Sequence, residues 1–287
     1  MQLTAGGRLL HYLLDRQIGE GGMGTVWSAV DTRTGGEVAL KLIRNSDSLD
    51  VARVRVLREA HATQRVAHAA IVPVIDVFSH DDNPVLVMEL LNGETLRVVL
   101  HREQSLPLER AAQLLLPIAE ALHEAHAAGI VHRDLKPENI FIQRPSHGLA
   151  RATARLLDFG VARNYDPRPG IEQTPITALG SLLGTLAYMA PEQALHPSEC
   201  DQRVDIWAFG VTLYETLSGC RPIEGNTAPE TMRQLLVGGI TPLTVLLPDL
   251  PGDVATLVDS MLTRRAERRL ASLEPVISVL RKRLLAE

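Results

Sequence analysis

The sequence predicts an α+β fold with two lobes, a small lobe rich in β-strands followed by a larger, mostly helical lobe. The chain has 287 residues, more than one compact core usually holds. Residues 14–43 alternate glycine-rich turns with apolar runs, a pattern typical of short paired strands. From Asn92 and Gly93 onward, apolar residues instead recur with a helical period. We therefore expect the small lobe over about residues 10–91 and the large lobe over residues 92–287.

Local patterns predict each part of the small lobe. The residues Thr34, Gly35 and Gly36 predict a hairpin turn between two strands. Leu49 to Val66 has helical spacing, and it is the one main helix that we expect in this lobe. Two more apolar strands, Ile71 to Phe78 and Pro84 to Leu91, are predicted on either side of a polar turn.

Two long helical patterns and one irregular stretch characterise the large lobe. Leu106 to His126 and Val204 to Leu217 show the clearest helical periods. Two histidines of the first helix, His123 and His126, are interpreted as core or rim residues rather than metal ligands. Residues 164–183 are rich in Pro, Gly, Ser and Thr and show no period. A loop of this length in a compact domain is usually functional or disordered.

The composition is that of an ordinary soluble protein. Hydrophobic residues make up 45% of the chain and charged residues 22%, which predicts a packed core. The net charge of −5 excludes the strongly basic footprint of a nucleic-acid-binding protein. The two cysteines form neither a metal-ligand spacing nor a disulfide framework. A signal peptide and the roughly 18 apolar residues of a membrane span are both missing, so we expect a cytoplasmic protein.

Five short motifs follow one another in a fixed order along the chain. They are G-x-G-x-x-G-x-V at residues 19–26, V-A-L-K at 38–41, H-R-D-L-K-P-E-N at 132–139, D-F-G at 158–160 and A-P-E at 190–192. Any one of them could arise by chance, whereas the ordered set is specific. With these motifs the chain resembles a protein kinase over about residues 14–285. Among kinases it is most similar to the bacterial Hanks-type (eukaryotic-like) serine/threonine kinases.

The resemblance implies the bilobal protein-kinase fold, with one kinase domain over residues 1–287. It also implies ATP-dependent phosphorylation of serine and threonine hydroxyls on proteins. Asp134 would accept the proton of the substrate hydroxyl, and Lys136 would neutralise charge on the γ-phosphate. A lysine two residues after this aspartate is typical of the serine/threonine class. Thr185 would contact both side chains, as the serine/threonine-type residue of that segment does.

ATP and Mg²⁺ are the cofactors that the resemblance implies, with Mn²⁺ as a substitute ion. Asn139 and Asp158 would bind the metal, because hard oxygen ligands suit it. Lys41 would bind the α- and β-phosphates and pair with Glu59 on the small-lobe helix. The glycines of the loop lack Cβ atoms, which would let its backbone lie close over the phosphates; they are Gly19, Gly21 and Gly24.

The adenine pocket follows from the same resemblance. Its apolar wall, its gatekeeper, its hinge and its floor would be formed by Ile18, Val26, Ala39, Met88, Glu89, Leu91 and Phe141. Met88 matches the gatekeeper, Glu89 and Leu91 would offer hinge backbone groups, and Phe141 would form the floor.

Further residues match structural and regulatory positions of the family. Glu192 and Arg269 would form the ion pair of the large lobe, and Asp205 would bond the backbone of the catalytic loop. Arg133, which precedes Asp134, would pair with a phosphate in the activation segment, residues 158–192. Autophosphorylation of that segment is therefore expected; Thr177 matches best, followed by Thr174, with Ser181 as the third acceptor.

Two other functions are weighed against phosphorylation of proteins. A pseudokinase scaffold would bind nucleotide or partners without phosphotransfer, but such scaffolds generally lack one or more of the motif residues, all of which are present here. A kinase for small molecules would generally lack Lys136 and the A-P-E segment.

Partners and chain organisation stay more open. Beyond ATP and protein substrates, the resemblance allows a second kinase copy or a regulatory protein as partner. Bacterial relatives commonly carry a membrane helix and a sensor domain after the kinase domain, and this chain shows neither. It is then either a soluble member regulated by a partner or a domain excised from a longer chain.

Overall fold

The structure, a computed structural model, describes residues 3–21, 24–43, 66–81, 83–145, 152–157 and 184–285. These residues form two compact units that divide between Asn92 and Gly93. The first unit is built on a β-sheet, and the second, which also includes His68–Ala70, is mostly helical. The predicted α+β fold, with a strand-rich small lobe and a helical large lobe, is confirmed.

The first unit contains a six-stranded sheet in which all neighbouring strands are antiparallel. Its order along the sheet is β1-β2-β3-β4-β6-β5. The strands are β1 (Arg8–Leu9), β2 (Tyr12–Gly21), β3 (Gly24–Asp31), β4 (Glu37–Ile43), β5 (Val74–His80) and β6 (Asn83–Glu89).

The hairpin between β3 and β4 turns where the sequence predicts it. The amide of Asp31 donates to the carbonyl of Gly36 over 2.9 Å, and the amide of Gly35 donates back to the carbonyl of Asp31 over 2.7 Å. Gly35 has a φ of +74°, a left-handed conformation that glycine adopts without the steric cost of a Cβ. The predicted turn at residues 34–36 is therefore confirmed.

The predicted strand at Ile71 to Phe78 begins later than expected, at Val74. Pro73 stands immediately before this start and lacks the backbone N–H that a strand pairs with. The predicted helix at Leu49 to Val66 lies outside the described residues, except for Val66, which is buried.

One face of the sheet forms a hydrophobic core, and the other face carries residues that are predicted to bind ATP. The core face is formed by Leu9, Tyr12, Leu14, Trp27, Ala29, Val38, Leu40, Val85 and Val87. Successive side chains of a strand point to opposite faces, so Val26, Ala39 and Lys41 lie on the other face. The strand pairing there sets Val26 opposite Lys41 and Ala39 opposite Met88.

The second unit is mostly helical. Its described α-helices are α1 (Leu96–Glu103), α2 (Leu108–Ala127), α3 (Pro191–Leu195), α4 (Arg203–Ser218), α5 (Ala228–Val237), α6 (Leu243–Leu246), α7 (Gly252–Met261) and α8 (Glu274–Leu284). The predicted helices at Leu106 to His126 and Val204 to Leu217 agree with α2 and α4 to within two residues at each end. Among the described residues, no helix combines the length and the apolarity that crossing a membrane requires.

A small antiparallel sheet in the second unit was not expected from the sequence. Its strands are β7 (Gly93–Thr95), β8 (Ile140–Gln143) and β9 (Thr153–Leu156), in the order β7-β8-β9. Strands this short span too few residues to show a period of two. Gly93 permits the pairing, because a Cβ at this position would lie 2.1 Å from the carbonyl oxygen of Ile142.

The helix α4 is the centre of the second unit. Every residue from Val204 to Leu217 is buried, and the helix packs against α2 and α7. Its buried threonines satisfy their hydroxyls within the helix, since Thr212 donates to the carbonyl of Ala208 over 2.8 Å and Thr216 donates to that of Thr212 over 2.7 Å. A helix that is buried all around lies in the core of its domain.

We predict that Gly210→Ala lowers the stability of the second unit. A Cβ at Gly210 in α4 would lie 2.8 Å from the Cβ of Met261 and 3.2 Å from Leu262. Overpacking of this kind costs roughly 1–3 kcal/mol, against a gain in helix propensity of about 1 kcal/mol. We expect a net loss of about 1 kcal/mol in the free energy of unfolding, measured by denaturant titration.

The matched control is Gly252→Ala at the start of α7, where an added Cβ would have no atom within 4 Å apart from its chain neighbours and the backbone of its own helix. Stability should stay equal or rise there. A Gly210→Ala protein as stable as the Gly252→Ala protein would show that α4 and α7 adjust to each other without cost.

Candidate active site

The motif at residues 132–139 forms a loop of the second unit that joins helix α2 to strand β8. A short 3₁₀ turn, Pro137–Asn139, closes the loop. The amide of Asn139 donates to the carbonyl of Lys136 over 2.9 Å. Proline favours the first position of such a turn, because its ring presets φ and no partner for an N–H is needed there. Pro137 therefore favours the 3₁₀ turn at the end of the loop.

Three predicted catalytic residues come together at this loop. The ammonium of Lys136 lies 3.2 and 3.0 Å from the two carboxylate oxygens of Asp134. It also donates to the hydroxyl of Thr185 over 3.3 Å, across 49 residues of sequence. The side chains of Lys136 and Asp134 are only 16% and 10% exposed, so water screens this ion pair less than a surface pair.

Asn139, a predicted metal ligand, is tied to Asp134. Its amide nitrogen donates to the backbone carbonyl of Asp134 over 2.7 Å and to a carboxylate oxygen over 3.2 Å. Both bonds are made by the side-chain nitrogen. The side-chain oxygen is the hard ligand atom that suits a magnesium ion.

His132 connects the loop to the chain that follows β9. Its Nδ1 accepts from the amide of Asp134 over 3.3 Å, and its Nε2 lies 3.1 Å from the carbonyl of Leu157. The tautomer with the proton on Nε2 satisfies both contacts. The amide of Leu157 in turn donates to the carbonyl of Asn139 over 2.8 Å. Leu157, the residue before Asp158, is thus bound to the loop through both of its backbone groups.

Asp205 of α4 bonds the backbone of the loop, at the position that the sequence assigned to it. Its carboxylate accepts from the amides of His132 and Arg133, each over 2.7 Å, and from Nε2 of His126 over 2.8 Å. Burial raises the pKa of Asp205, but the hydrogen bond to His126 and the nearby His132 outweigh this and hold the pKa below its usual value.

Arg133 adopts an unusual backbone conformation, with a φ of +63°. This left-handed region costs residues other than glycine roughly 1–2 kcal/mol. Two hydrogen bonds stabilise it, one from the Arg133 amide to Asp205 over 2.7 Å and one from the side chain of Gln193 to the Arg133 carbonyl over 2.8 Å. The packing of the second unit therefore holds the residue before Asp134 in a defined orientation.

The predicted pair Glu192 and Arg269 is present. Two guanidinium nitrogens of Arg269 donate to the Glu192 carboxylate over 2.6 and 3.0 Å. The other three N–H groups of Arg269 donate to the backbone carbonyls of Arg203, Thr263 and Arg264. All five donors of this fully buried side chain are used, which holds the segment after Thr185 against α4.

The residues predicted to bind phosphates lie in the first unit. Lys41 is buried on β4, and the glycine-rich loop spans the end of β2 and the start of β3. At Gly24 a Cβ would lie 1.8 Å from the carbonyl oxygen of Leu42, and φ is +146°. Glycine is therefore required at this position by the sheet itself, in addition to any close approach of a phosphate.

The predicted adenine-pocket residues are distributed over both units. In the first unit, Ile18 lies on β2, Val26 on β3, Ala39 on β4, Met88 and Glu89 on β6, and Leu91 just beyond β6. Phe141 lies on β8 of the second unit, where it pairs with Thr95 and Arg155.

Some predicted residues lie outside the described part of the chain. They are Glu59, Asp158, Thr174, Thr177 and Ser181, so their roles stay predictions. Within the described ranges, no group of three or more His, Cys, Asp and Glu side chains is placed to hold a metal.

Sequence reasoning missed several residues that organise the site. The side chain of His126 is 3% exposed, which agrees with its interpretation as a core residue, but its bond to Asp205 was not expected. His132 and Gln193 bond the catalytic loop, and neither was given a role. A histidine within the apolar pattern of α2 was the one available signal, because a buried imidazole requires a hydrogen-bond partner.

Comparison with known proteins gives a consistent result. A family model described as "Protein kinase domain" matches residues 12–279. The serine/threonine-protein kinase PknA of Mycobacterium tuberculosis is 37% identical over 276 residues, which cover 94% of this chain and 60% of PknA. The serine/threonine-protein kinase pkn2 of Myxococcus xanthus is 37% identical over 257 residues, covering 88% of this chain and 30% of pkn2. The chain thus spans 60% of the length of PknA and 30% of the length of pkn2, less than two thirds of either relative.

A solved structure shows the same fold. The crystal structure of the Mycobacterium tuberculosis PknI kinase domain superposes with a TM-score of 0.73 at 22% identity, covering 99% of this chain and 100% of that domain. Together with the family model and the catalytic-loop geometry, these similarities lead to one conclusion: the chain belongs to the protein kinase family, and the relatives it resembles are bacterial serine/threonine kinases.

Proposed function

We propose that this chain transfers the γ-phosphoryl group of ATP to serine and threonine hydroxyls on proteins. The contact that carries the proposal is the bridge made by Lys136, which lies within 3.3 Å of both Asp134 and Thr185. Phosphoryl transfer depends mainly on positioning and on charge stabilisation, and this bridge provides both in one place.

Asp134 orients the substrate hydroxyl and accepts its proton. Lys136 stabilises the negative charge of the group being transferred, and Thr185 holds Lys136 in reach of that charge. The choice of serine and threonine as acceptors is supported by Lys136 and Thr185, which match the serine/threonine class, and by the relatives, which are named serine/threonine-protein kinases.

The donor set at the loop suits a hard divalent cation. Asn139 presents an amide oxygen, and Asp158, outside the described residues, would add a carboxylate. Mg²⁺, or Mn²⁺ in its place, is the ion that these ligands fit. Bound ATP with its metal supplies the phosphoryl group, while Lys41 and the loop glycines would bind its phosphates.

Autophosphorylation of the activation segment is part of the proposal. Arg133 is held by backbone bonds to Asp205 and Gln193, so its guanidinium extends from a defined point next to Asp134. A phosphate on Thr177, or on Thr174 or Ser181, would add charge that an arginine pairs with well. A second copy of the chain is the expected substrate or partner, and a regulatory protein is the alternative.

We expect Asp134→Asn and Lys136→Met each to lower the rate of phosphate transfer by about 100-fold or more, because each removes a group that acts on the transferring phosphoryl or its acceptor. The measurement is transfer from labelled ATP with magnesium to a generic basic protein. Asp249→Asn, an exposed aspartate of the second unit, is the matched control and should keep full activity.

Two outcomes would contradict the proposal. If the wild-type chain binds nucleotide by thermal shift but transfers no label, the pseudokinase alternative is favoured. If Asp134→Asn keeps wild-type activity, the assignment of the base is wrong.

We expect Asp205→Asn to lower the free energy of unfolding by about 3 kcal/mol, because the amide cannot accept all three hydrogen bonds of the buried carboxylate. The pKa of Asp205 is below its usual value in the folded state, so its contribution is present at neutral pH and is lost as pH falls below about 4.

Denaturant titrations at several pH values test this prediction. The stability difference between the wild type and Asp205→Asn should narrow in acid. The exposed Asp259→Asn change on α7 is the control and should have no effect. A difference that stays constant down to about pH 3 would contradict the role of the carboxylate charge.

A triple change, Thr174→Ala/Thr177→Ala/Ser181→Ala, should abolish autophosphorylation of the activation segment and reduce transfer to other substrates, because Arg133 then lacks its phosphate partner. Mass-spectrometric site mapping and the labelled-ATP assay measure the two effects. Thr244→Ala, an exposed threonine of α6, serves as control. Unchanged activity in the triple variant would remove this part of the proposal.

A further inference from the structure

A partly buried arginine of the second unit connects three segments that are distant in sequence. Arg97, near the start of α1, contacts Glu138 of the catalytic loop, Glu215 of α4 and Tyr188 of the segment that follows Thr185. Its partners lie 41, 118 and 91 residues away along the chain. We call these four side chains the Arg97 cluster.

The geometry of the cluster uses the fork of the guanidinium. Nε of Arg97 donates to Glu138 over 2.9 Å, and Nη1 donates to Glu215 over 2.8 Å. Nη2 donates to the hydroxyl of Tyr188 and lies 3.4 Å from the second oxygen of Glu215. The Tyr188 hydroxyl in turn donates a hydrogen bond to Glu215. A planar group with five donors in fixed directions makes this arrangement, and a lysine does not.

The environment strengthens these bonds. Glu215 is 8% exposed and Tyr188 is 3% exposed, whereas Arg97 is 32% exposed. Burial lowers the pKa of Arg97, but the hydrogen bond to Glu215 and the charges of its neighbours outweigh this and hold the pKa above its usual value. Burial raises the pKa of Tyr188, with Glu215 adding to the effect, so the hydroxyl remains a donor. Without Arg97 the cluster would hold two carboxylates and no cation.

The small sheet places Arg97 beside the catalytic loop. Strand β7 ends at Thr95, which caps α1 by accepting from the amide of Val98. Strand β7 pairs with β8, and β8 begins directly after Asn139. Arg97 thus lies two residues after strand β7, which pairs with the strand that follows the catalytic loop.

Two partners of Arg97, Glu138 and Tyr188, are next to predicted site residues. Glu138 lies between Lys136 and Asn139 in the 3₁₀ turn. The amide of Tyr188 donates to the carbonyl of Thr185 over 3.1 Å, and Thr185 in turn contacts Lys136. A displacement of Tyr188 or of the turn would therefore change the distances within the bridge at Lys136.

Helix α4 is attached to the catalytic loop at two points. Asp205 and Glu215 are both on α4, ten positions apart, which is roughly 15 Å along a helix axis. Asp205 binds the loop backbone directly, whereas Glu215 is joined to Glu138 of the loop through Arg97. Arg97 is the link that completes the second attachment.

We infer that Arg97 is a positioning residue for phosphoryl transfer, which sets the catalytic turn and the Thr185–Tyr188 segment in register with α4. This inference rests on the proposed kinase function and adds to it a residue outside the motifs. Arg97 acts through Glu138 and Tyr188, without contacting the reacting groups.

The rival explanation is that Arg97 only compensates the buried charge of Glu215. The two explanations differ in what a second substitution does. Removing the charge of Glu215 relieves an uncompensated carboxylate, but it leaves Glu138 and Tyr188 without their common partner.

The experiment compares Arg97→Met, the double variant Arg97→Met/Glu215→Gln, Arg97→Lys and Arg102→Met. Arg102 is the matched control, because it lies on the same helix and also pairs with two carboxylates, Glu94 and Glu103, at 52% exposure. The measurements are kcat, the KM for ATP, the KM for a protein substrate and the melting temperature.

We expect Arg97→Met to lower kcat at least tenfold with the KM for ATP within twofold of the wild type, and to lower the melting temperature. The double variant should recover melting temperature but not kcat. Arg97→Lys, which restores charge without the fork, should also recover stability more than kcat, and Arg102→Met should match the wild type. Recovery of kcat in the double variant, or a wild-type kcat in Arg97→Met, would overturn the inference.

Amide hydrogen exchange separates failure of this inference from failure of the proposed function. A wild-type chain without transfer activity would reject the function alone. The inference would then be decided by exchange at residues 132–139 and 184–190, which Arg97→Met should accelerate at least tenfold relative to Arg102→Met. Equal exchange in the two variants would reject it.

Discussion

The buried carboxylate of Asp205 is the interaction on which the catalytic loop depends. It is fully buried and accepts three hydrogen bonds, two of them from consecutive amides of the loop. Those bonds stabilise Arg133 in a conformation that residues other than glycine rarely adopt. Asp134 follows immediately, so the direction in which its carboxylate points is determined by a contact to a helix 70 residues further along the chain. An uncompensated charge in this place would be strongly destabilising, and His126 supplies the additional donor that the carboxylate needs.

Other polar groups of the central helix α4 bind further parts of the site. Asp205 binds the loop, Glu215 holds Arg97 and Tyr188, and the carbonyl of Arg203 accepts from Arg269, whose guanidinium lies 5.1 Å from the ring of Trp207. On this buried helix, Asp205, Glu215 and the carbonyl of Arg203 each have a hydrogen-bond partner. The predicted catalytic residues of this unit lie on loops and turns, while a buried helix supplies their common frame.

In the first unit, a β-sheet supplies the frame that positions the predicted site residues. Strand alternation separates the hydrophobic core from the face that carries Val26, Ala39 and Lys41, and the pairing of β3, β4 and β6 sets these residues side by side. A one-residue slip would move all of them to the opposite face. The glycine at position 24 protects this register, because a side chain there would collide with the backbone of β4.

The sequence alone predicts the fold class, the long helices α2 and α4, the β3–β4 turn and the motif residues proposed for the site. These features depend on local chemistry: hydrophobic period, turn residues, and residue types at short fixed spacings. It did not reveal the small sheet β7-β8-β9, the bonds of His126, His132 and Gln193, or the Arg97 cluster. These features arise from tertiary packing, because their partners are separated by up to 118 residues and meet where helices pack together. Spacing along the chain contains no record of which polar groups packing will bring within hydrogen-bonding distance.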